Sequence, residues 1–158
     1  MGTPQLQHLA HLVLRVRDLE RSVDFYQRVL GLELTSRVGK RMAFLTTPGS
    51  AKSHELGLLG LGEELPDPDN NRVGLYHFAW ELGSLSALEE FHQRLLDEDV
   101  TIVGYGDHGI GVGVYFLDPD GHQLEVFAER ERPEASRVEA MRAVGVVSTP
   151  VDLEAVGG

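Results

Sequence analysis

The hydrophobic positions of this chain follow one order of spacings that occurs twice. In the first half, a strand pattern at residues 9–16 leads into apolar residues at helical spacing over residues 19–30. Asp18 and Gly31 flank this segment, as is typical of a helix N-cap and of a C-terminal stop. Three more strand patterns follow, at residues 33–37, 41–46 and 54–61. The first half is therefore predicted to form a βαβββ unit.

The second half repeats this order after a polar, proline-containing stretch at residues 63–72. A strand pattern at residues 73–82 precedes a helical pattern that begins with the capping-box sequence Ser86-Ala-Leu-Glu89. Strand patterns follow at residues 101–105, 111–117 and 123–128. The two halves look like copies of one supersecondary unit, and we expect an α+β fold.

Two histidines occupy the same place in the two copies. Superposing the first strand patterns aligns His11 with His77, 66 positions later (77 minus 11). Each histidine lies in an apolar strand pattern that a helix follows. Because side chains alternate between the two faces of a strand, both histidines are expected on the face away from the bulky packing residues. We therefore expect both to line a cavity formed between the halves.

The segment with the most chemically active residues lies near the end of the second copy. Asp118-Pro-Asp-Gly121 has the composition of a tight turn, with strand patterns on both sides. A hairpin is therefore predicted, with Tyr115 on its first strand and Glu125 on its second. A carboxylate facing inward from an apolar strand is costly to bury unless a cation or hydrogen-bond donors compensate it. The pattern at Glu125 thus indicates a metal site.

Composition limits the classes of function. The 158 residues are 42% hydrophobic, enough for one compact core, and they include no cysteine. Disulfides, thiolate nucleophiles and zinc-thiolate sites are therefore excluded, which leaves histidine and carboxylate as metal ligands. A formal net charge of -11 disfavours nucleic acid as a partner. No membrane span or secretory pattern is visible, so we expect no membrane contact and a cytoplasmic location.

Paired βαβββ units with a histidine in each first strand and a carboxylate in the last strand resemble the vicinal oxygen chelate superfamily. Its members include glyoxalase I, bleomycin and fosfomycin resistance proteins, methylmalonyl-CoA epimerase and extradiol ring-cleavage dioxygenases. The resemblance covers residues 5–130, as modules 5–62 and 73–130, and leaves 131–158 as a C-terminal appendage with a short helix near residues 134–143. It implies a cup-shaped mixed sheet around a divalent metal held by His11, His77 and Glu125.

Within this superfamily, two motifs are similar to those of catechol 2,3-dioxygenase-like extradiol enzymes. One comprises the residues His108, Val114, Tyr115, Asp118, Pro119, Gly121 and Glu125. The other is the segment 52–58, which resembles the strand that supplies an acid/base histidine, here His54. The segment 74–80 also looks like their metal-histidine strand.

That resemblance implies a mononuclear Fe(II) enzyme that inserts O2 into a catechol-type substrate, with Mn(II) as the other candidate metal. His54 would act as the acid/base, since histidine exchanges protons near neutral pH. His108 and Tyr115 would hydrogen-bond the substrate oxygens. Many such dioxygenases have two module pairs and about twice this length, so a homodimer is expected.

Two alternatives remain open from the sequence. A glyoxalase-like or epimerase-like lyase or isomerase would need a fourth ligand from the first module, where the offset of 66 maps Glu125 onto Leu59 and Glu55 is the nearest acid. Because neighbouring strand residues face opposite ways, His54 and Glu55 should not both face a metal. The second alternative is a resistance-type protein that binds a small molecule without catalysis. The remaining histidines, His8, His92 and His122, are interpreted as surface residues.

Overall fold

The computed structural model describes residues 4–66, 72–130 and 134–144, and the chain divides into two compact units, residues 1–66 and 67–158. The elements of the first unit are β1 (Leu12–Val16), α1 (Leu19–Arg28), β2 (Glu33–Val38), β3 (Met42–Thr46) and β4 (Leu56–Gly60). Its strands are ordered β1-β4-β3-β2, with β1 and β4 parallel and the other neighbours antiparallel. The first unit is thus a mixed four-stranded sheet with one helix.

The second unit repeats this architecture and adds a helix. Its elements are β5 (Phe78–Leu82), α2 (Leu85–Asp97), β6 (Ile102–Asp107), β7 (Gly111–Leu117), β8 (Gln123–Glu129) and α3 (Glu134–Val144). The strand order β5-β8-β7-β6, with β5 and β8 parallel, matches that of the first unit. The predicted α+β class and the βαβββ repeat are confirmed.

The C-terminal helix forms where the sequence predicts one, as α3. The other residues of the predicted appendage, 131–133 and 145–158, lie outside the described part of the chain. Within the described ranges, no helix combines the length and the apolar character that crossing a membrane would require.

Alternation along β7 separates a packing face from a polar face in the second unit. Val112, Val114 and Phe116 are fully buried, and the ring of Phe116 lies 6.3 Å from that of Phe91 in α2. This face of the sheet therefore packs on the helix. The residues between them, Gly113 and Tyr115, lie on the opposite face, where apolar packing does not occupy every position.

Two predicted boundaries differ from the structure for the same reason. The strand patterns at 9–16 and 73–82 predict strands longer than β1 and β5, which begin at Leu12 and Phe78. Pairing with their parallel partners begins only at Leu56 and Leu124, so earlier residues have no partner in the ladder. Each candidate metal histidine therefore lies one residue before its strand, at the same place in both units.

The helix caps show one confirmed prediction and one error. The Asp18 carboxylate accepts hydrogen bonds from the backbone N–H groups of Glu20 and Arg21, at 2.9 and 3.1 Å, as an N-cap should. For α2, however, the capping residue is Ser84, whose hydroxyl accepts from the Ala87 backbone N–H at 3.1 Å. The predicted start at Ser86 was wrong because two serines compete for the same role.

Candidate active site

The second unit brings four of the predicted site residues together, three of them around the carboxylate of the fourth, Glu125. In the β7–β8 ladder, Tyr115 lies directly opposite Glu125, and His77 precedes β5 on the other side of β8. Glu125 is only 6% exposed, and its Oε2 lies 3.2 Å from Nε2 of His77. Strand register therefore places an imidazole next to a buried carboxylate, and these are two side-chain types that can bind a cation together.

His108 approaches the same carboxylate from the turn between β6 and β7. Its Nε2 lies 2.8 Å from the Tyr115 hydroxyl oxygen and 3.5 Å from Oε1 of Glu125. Burial, and then the nearby Glu125 carboxylate, raise the pKa of Tyr115 above its ordinary value. The phenol therefore remains a neutral hydrogen-bond donor at physiological pH.

Two glycines leave the space that these side chains occupy. A Cβ atom added to Gly113 would overlap Oε1 of Glu125, and one added to Gly106 would lie 3.1 Å from His108 Nε2 and 3.2 Å from a Tyr115 ring carbon. Neither glycine was predicted to have a role at the site. Glycine within a strand is a signal for such a close approach, and both lie in strands.

A cavity of about 460 Å³ opens beside this cluster, within the range of small-molecule sites. Its lining residues are Tyr76, His77, Val103, Gly104, Tyr105, His108, Tyr115 and Gln123. Five of these eight residues were not identified from the sequence. Three of the five lie in β6, an edge strand with no distinctive motif. Of the five, Tyr76 and Gln123 had a usable signal, since each lies within two residues of a predicted ligand.

The donors of the second unit fit a divalent ion. Two ligand atoms each about 2.1 Å from an ion, at right angles to each other, are about 3.0 Å apart, close to the 3.2 Å between His77 Nε2 and Glu125 Oε2. The other ring nitrogen of His77, Nδ1, is buried without a hydrogen-bond partner among the described residues. Within neither unit do the described residues group three His, Cys, Asp or Glu side chains around one ion position.

The first unit pairs the other two predicted histidines. The rings of His11 and His54 lie 4.6 Å apart, and the ring of Phe44 lies 4.9 Å from that of His54. Nδ1 of His54 is 3.1 Å from the Ser53 hydroxyl, which leaves its Nε2 for another partner. His11 is exposed within this unit. Both imidazoles are thus gathered at the start of the parallel β1–β4 pair.

Glu55, the acid of the rival hypothesis, is engaged elsewhere. Its Oε2 accepts from the backbone N–H of Thr47 at 2.8 Å and from the Thr47 and Thr46 hydroxyls at 2.6 and 3.2 Å, and its Oε1 accepts from Ser50 at 2.9 Å. Burial alone would raise the pKa of Glu55, but these hydrogen bonds outweigh it and lower the pKa. Glu55 therefore ties down the loop between β3 and β4.

Strand register identifies a different counterpart of Glu125 in the first unit from the one expected. Within the matching ladders, Ala79 pairs with Glu125 and Val13 pairs with Gly57. Glu125 therefore corresponds to Gly57, and the predicted correspondence with Leu59 was wrong. The error arose because the paired residues Val13 and Gly57 are 44 positions apart whereas Ala79 and Glu125 are 46 apart, a difference of two that a constant offset of 66 ignores.

The three histidines interpreted as surface residues differ in the structure. His8 is exposed, as predicted. His92 is half-buried, with Nε2 3.1 Å from the Tyr105 hydroxyl, and His122 lies 2.9 Å from the buried carboxylate of Asp118. His92 and His122 are thus only partly exposed, and each has a hydrogen-bond partner that the surface interpretation did not include. The Asp118 carboxylate also accepts from the Asp120 and His122 backbone N–H groups, which fixes the predicted turn.

Comparison with known proteins identifies the superfamily to which this fold belongs. A sequence profile described as the Glyoxalase/Bleomycin resistance protein/Dioxygenase superfamily matches residues 8–126. The chain is 34% identical over 151 residues to the catechol-2,3-dioxygenase of Bacillus subtilis (strain 168), a match that covers 93% of this chain and 50% of that protein. It is also 34% identical over 142 residues to the glutathione transferase FosA of Serratia marcescens, covering 84% and 95%.

Solved structures give the same result. A glyoxalase/dioxygenase from Nostoc punctiforme superposes with a TM-score of 0.69 at 25% identity, covering 83% of this chain and 97% of that one. Lengths differ among the relatives: the chain spans about half of the catechol dioxygenase and nearly all of FosA.

Proposed function

Because the chain belongs to the glyoxalase/bleomycin resistance protein/dioxygenase superfamily, we propose that it is an extradiol ring-cleavage dioxygenase acting on a catechol-type substrate and O2. The proposed metal is Fe(II), with Mn(II) as the alternative, held by His11, His77 and Glu125. The observation that carries the proposal is the contact of His77 and His108 with the two oxygens of Glu125, beside Tyr115 and a cavity. Resistance proteins that only sequester a ligand have no need of this donor set.

Each side chain of the cluster has a distinct task in this proposal. A bound ion would supply positive charge that acidifies the catechol hydroxyls and a redox centre for O2 chemistry. Tyr115, kept protonated by burial and by Glu125, donates a hydrogen bond to a substrate oxygen. His108, 2.8 Å from that hydroxyl, fixes its direction and offers a second polar contact. Such preoriented donors hold the ring in register for reaction.

His54 is the proposed acid/base because it is directed differently from its neighbour. It lies against the ring of His11, the ligand proposed from the first unit, whereas Glu55 is bonded to Thr47 and Ser50. A four-ligand glyoxalase-like or epimerase-like site would need the opposite arrangement. Gly57, at the position that corresponds to Glu125, adds no carboxylate to the first unit either. Both features favour two imidazoles and one carboxylate over a four-ligand site.

A metal-dependent thiol transferase is the second candidate, and the extent of the match to FosA favours it. FosA matches over 95% of its own length, whereas the catechol dioxygenase matches over 50%. A single pair of modules is thus sufficient for that kind of enzyme. The two candidates differ in their need for O2, which makes them separable in one set of assays.

The decisive experiment loads the protein anaerobically with Fe(II) or Mn(II) and offers it a panel of catechols, with O2 uptake and yellow ring-opened product as readouts. A parallel assay offers fosfomycin with glutathione under Mn(II). O2 uptake matched by product supports the dioxygenase. Catechol binding without O2 uptake overturns it and supports sequestration, whereas thiol consumption with fosfomycin supports the transferase.

His54→Phe tests the acid/base assignment. The variant should retain bound iron and lose turnover by about 100-fold or more, the lower range for a missing acid/base group. His8→Phe is the matched control, since His8 is exposed, and it should behave like the unaltered protein. Unchanged turnover in His54→Phe would remove this histidine from the chemistry. We also expect a homodimer in solution, which a monomeric mass by light scattering would contradict.

A further inference from the structure

We propose that Arg130 and Asp107 are positioning residues that hold His108 against Tyr115. The role in turnover rests on the proposed function, because His108 acts there on the substrate. Neither Arg130 nor Asp107 is among the lining residues of the cavity, so an effect of either residue on the reaction would be indirect.

The turn itself is short and begins with the histidine. β6 ends at Asp107 and β7 begins at Gly111, which leaves three residues between the strands. The His108 backbone N–H donates to the Gly111 carbonyl at 2.9 Å, and Gly109 has a φ of +75°, the left-handed region that favours glycine. These backbone features close the turn, but they do not fix its tilt relative to the sheet.

Arg130 supplies that restraint through a two-pronged ion pair. Its Nη1 and Nη2 groups each donate to one carboxylate oxygen of Asp107, both at 2.8 Å, and Nη1 also donates to the Gly109 carbonyl at 3.1 Å. The Arg130 backbone N–H donates to the Ile110 carbonyl at 2.9 Å. Bidentate pairing of this kind restricts orientation as well as distance. One arginine thus contacts the residues on both sides of His108.

The arginine also links the turn to the strand that carries the carboxylate. Arg130 directly follows β8, which contains Glu125. The Arg130 guanidinium is bonded to the turn that carries His108, and the Arg130 backbone continues into the strand that carries Glu125. Arg130 therefore restrains the separation between His108 and Glu125. The measured separations, 3.5 Å to Glu125 and 2.8 Å to the Tyr115 hydroxyl, are the distances that this restraint would maintain.

The first test needs no activity. In histidine-¹⁵N-labelled protein without metal, the His108 side-chain signals are assigned by their loss in His108→Phe. Arg130→Met keeps the length of the side chain but removes the guanidinium that pairs with Asp107, and it should move those signals towards those of an unrestrained imidazole. Arg130→Lys keeps the charge and should give a smaller change. Arg37→Met is the matched control: Arg37 makes the same kind of two-pronged pair with Glu20, at 2.6 and 3.0 Å, in the first unit, and its loss should leave His108 signals unchanged.

The second test is a double-mutant cycle on turnover. Arg130→Met should lower kcat by about 10- to 100-fold, the scale expected for a misplaced catalytic group, with unchanged metal content. If Arg130 acts through His108, the same substitution in a His108→Phe background should cause almost no further loss. Multiplicative losses, or unchanged His108 signals in Arg130→Met, would overturn the inference. Absence of dioxygenase activity in the unaltered protein would instead reject the proposed function, while the NMR test would still decide the position of His108.

Discussion

The pair of Asp107 and Arg130 gives a stability prediction whose size follows from the structure. Hydrogen bonds from Arg130 and then from the Gly109 N–H lower the pKa of Asp107 from 3.8 to about 2. A shift of this size corresponds to about 2 kcal/mol of unfolding free energy at about 1.36 kcal/mol per pKa unit. The two side chains are 27% and 33% exposed, so solvent screening reduces the expected contribution to about 1 kcal/mol.

The contribution depends on pH in a defined direction. Because the folded-state pKa of Asp107 is depressed, the stabilisation is present in full above the unfolded value of 3.8 and is lost as the pH falls towards about 2. With these two pKa values, about half should remain at pH 3. In Asp107→Asn the charge is absent at every pH, so variant and unaltered protein should differ at pH 7 and converge below pH 3.

The assay is urea unfolding between pH 7 and pH 3, followed by tryptophan fluorescence. The chain has one tryptophan, Trp80, and it lies in β5 beside β8, so the signal reports on the unit that holds the ion pair. Asp24→Asn is the matched control, because Asp24 pairs with Arg28 on the surface of α1 with its side chain 67% exposed, and it should change stability by less than about 0.5 kcal/mol.

A constant difference between Asp107→Asn and the unaltered protein from pH 7 to pH 3 would refute the reasoning, because it would show that the loss does not come from the ionised carboxylate. Equal stability at pH 7 would refute it as well.

Two further substitutions test the polar site and the core. Gly113→Ala should displace the Glu125 carboxylate and weaken metal binding by about 10-fold or more in a calorimetric titration. In the control Gly83→Ala the added Cβ meets no atom within 4 Å, so this variant should bind metal normally. Equal metal affinities of the two variants would contradict the role of Gly113. Leu95→Ala should lower the unfolding free energy by about 2 to 5 kcal/mol because Leu95 is fully buried. Leu96 is half-exposed, so Leu96→Ala should change the unfolding free energy by less than about 0.5 kcal/mol. Similar losses for both variants in urea unfolding would contradict the packing described.

The fold was predictable from the sequence because its information is local and repeated. Helical and strand spacings recur in each half, and the repeat supplies an internal check that a single unit would lack. Boundaries were less accurate where the outcome depends on a partner: β1 and β5 begin only where pairing with the parallel strands β4 and β8 begins. The cap of α2 could not be chosen between Ser84 and Ser86 without the backbone conformation.

The candidate site was predictable where motif spacing fixes strand register. Tyr115 and Glu125 lie opposite each other because a tight turn joins their strands. The ion pair of Arg130 and Asp107 was missed because the two residues are 23 positions apart and neither belongs to a motif. The role of Glu55 was missed for another reason: the residue type alone does not show whether a glutamate beside a candidate ligand binds an ion or accepts hydrogen bonds from a loop.

The replacement of Glu125 by Gly57 at the matching place makes the two halves alike in architecture but unequal in chemistry. A Cβ atom at Gly57 would lie 3.1 Å from Val13 Cγ2, so an acidic side chain could enter there only if the Val13 side chain, 44% exposed in this unit, moved by a few tenths of an ångström. Giving the first half an acid would thus take a substitution on β4 and an adjustment on β1. As the chain stands, only the second half supplies a carboxylate from this strand position.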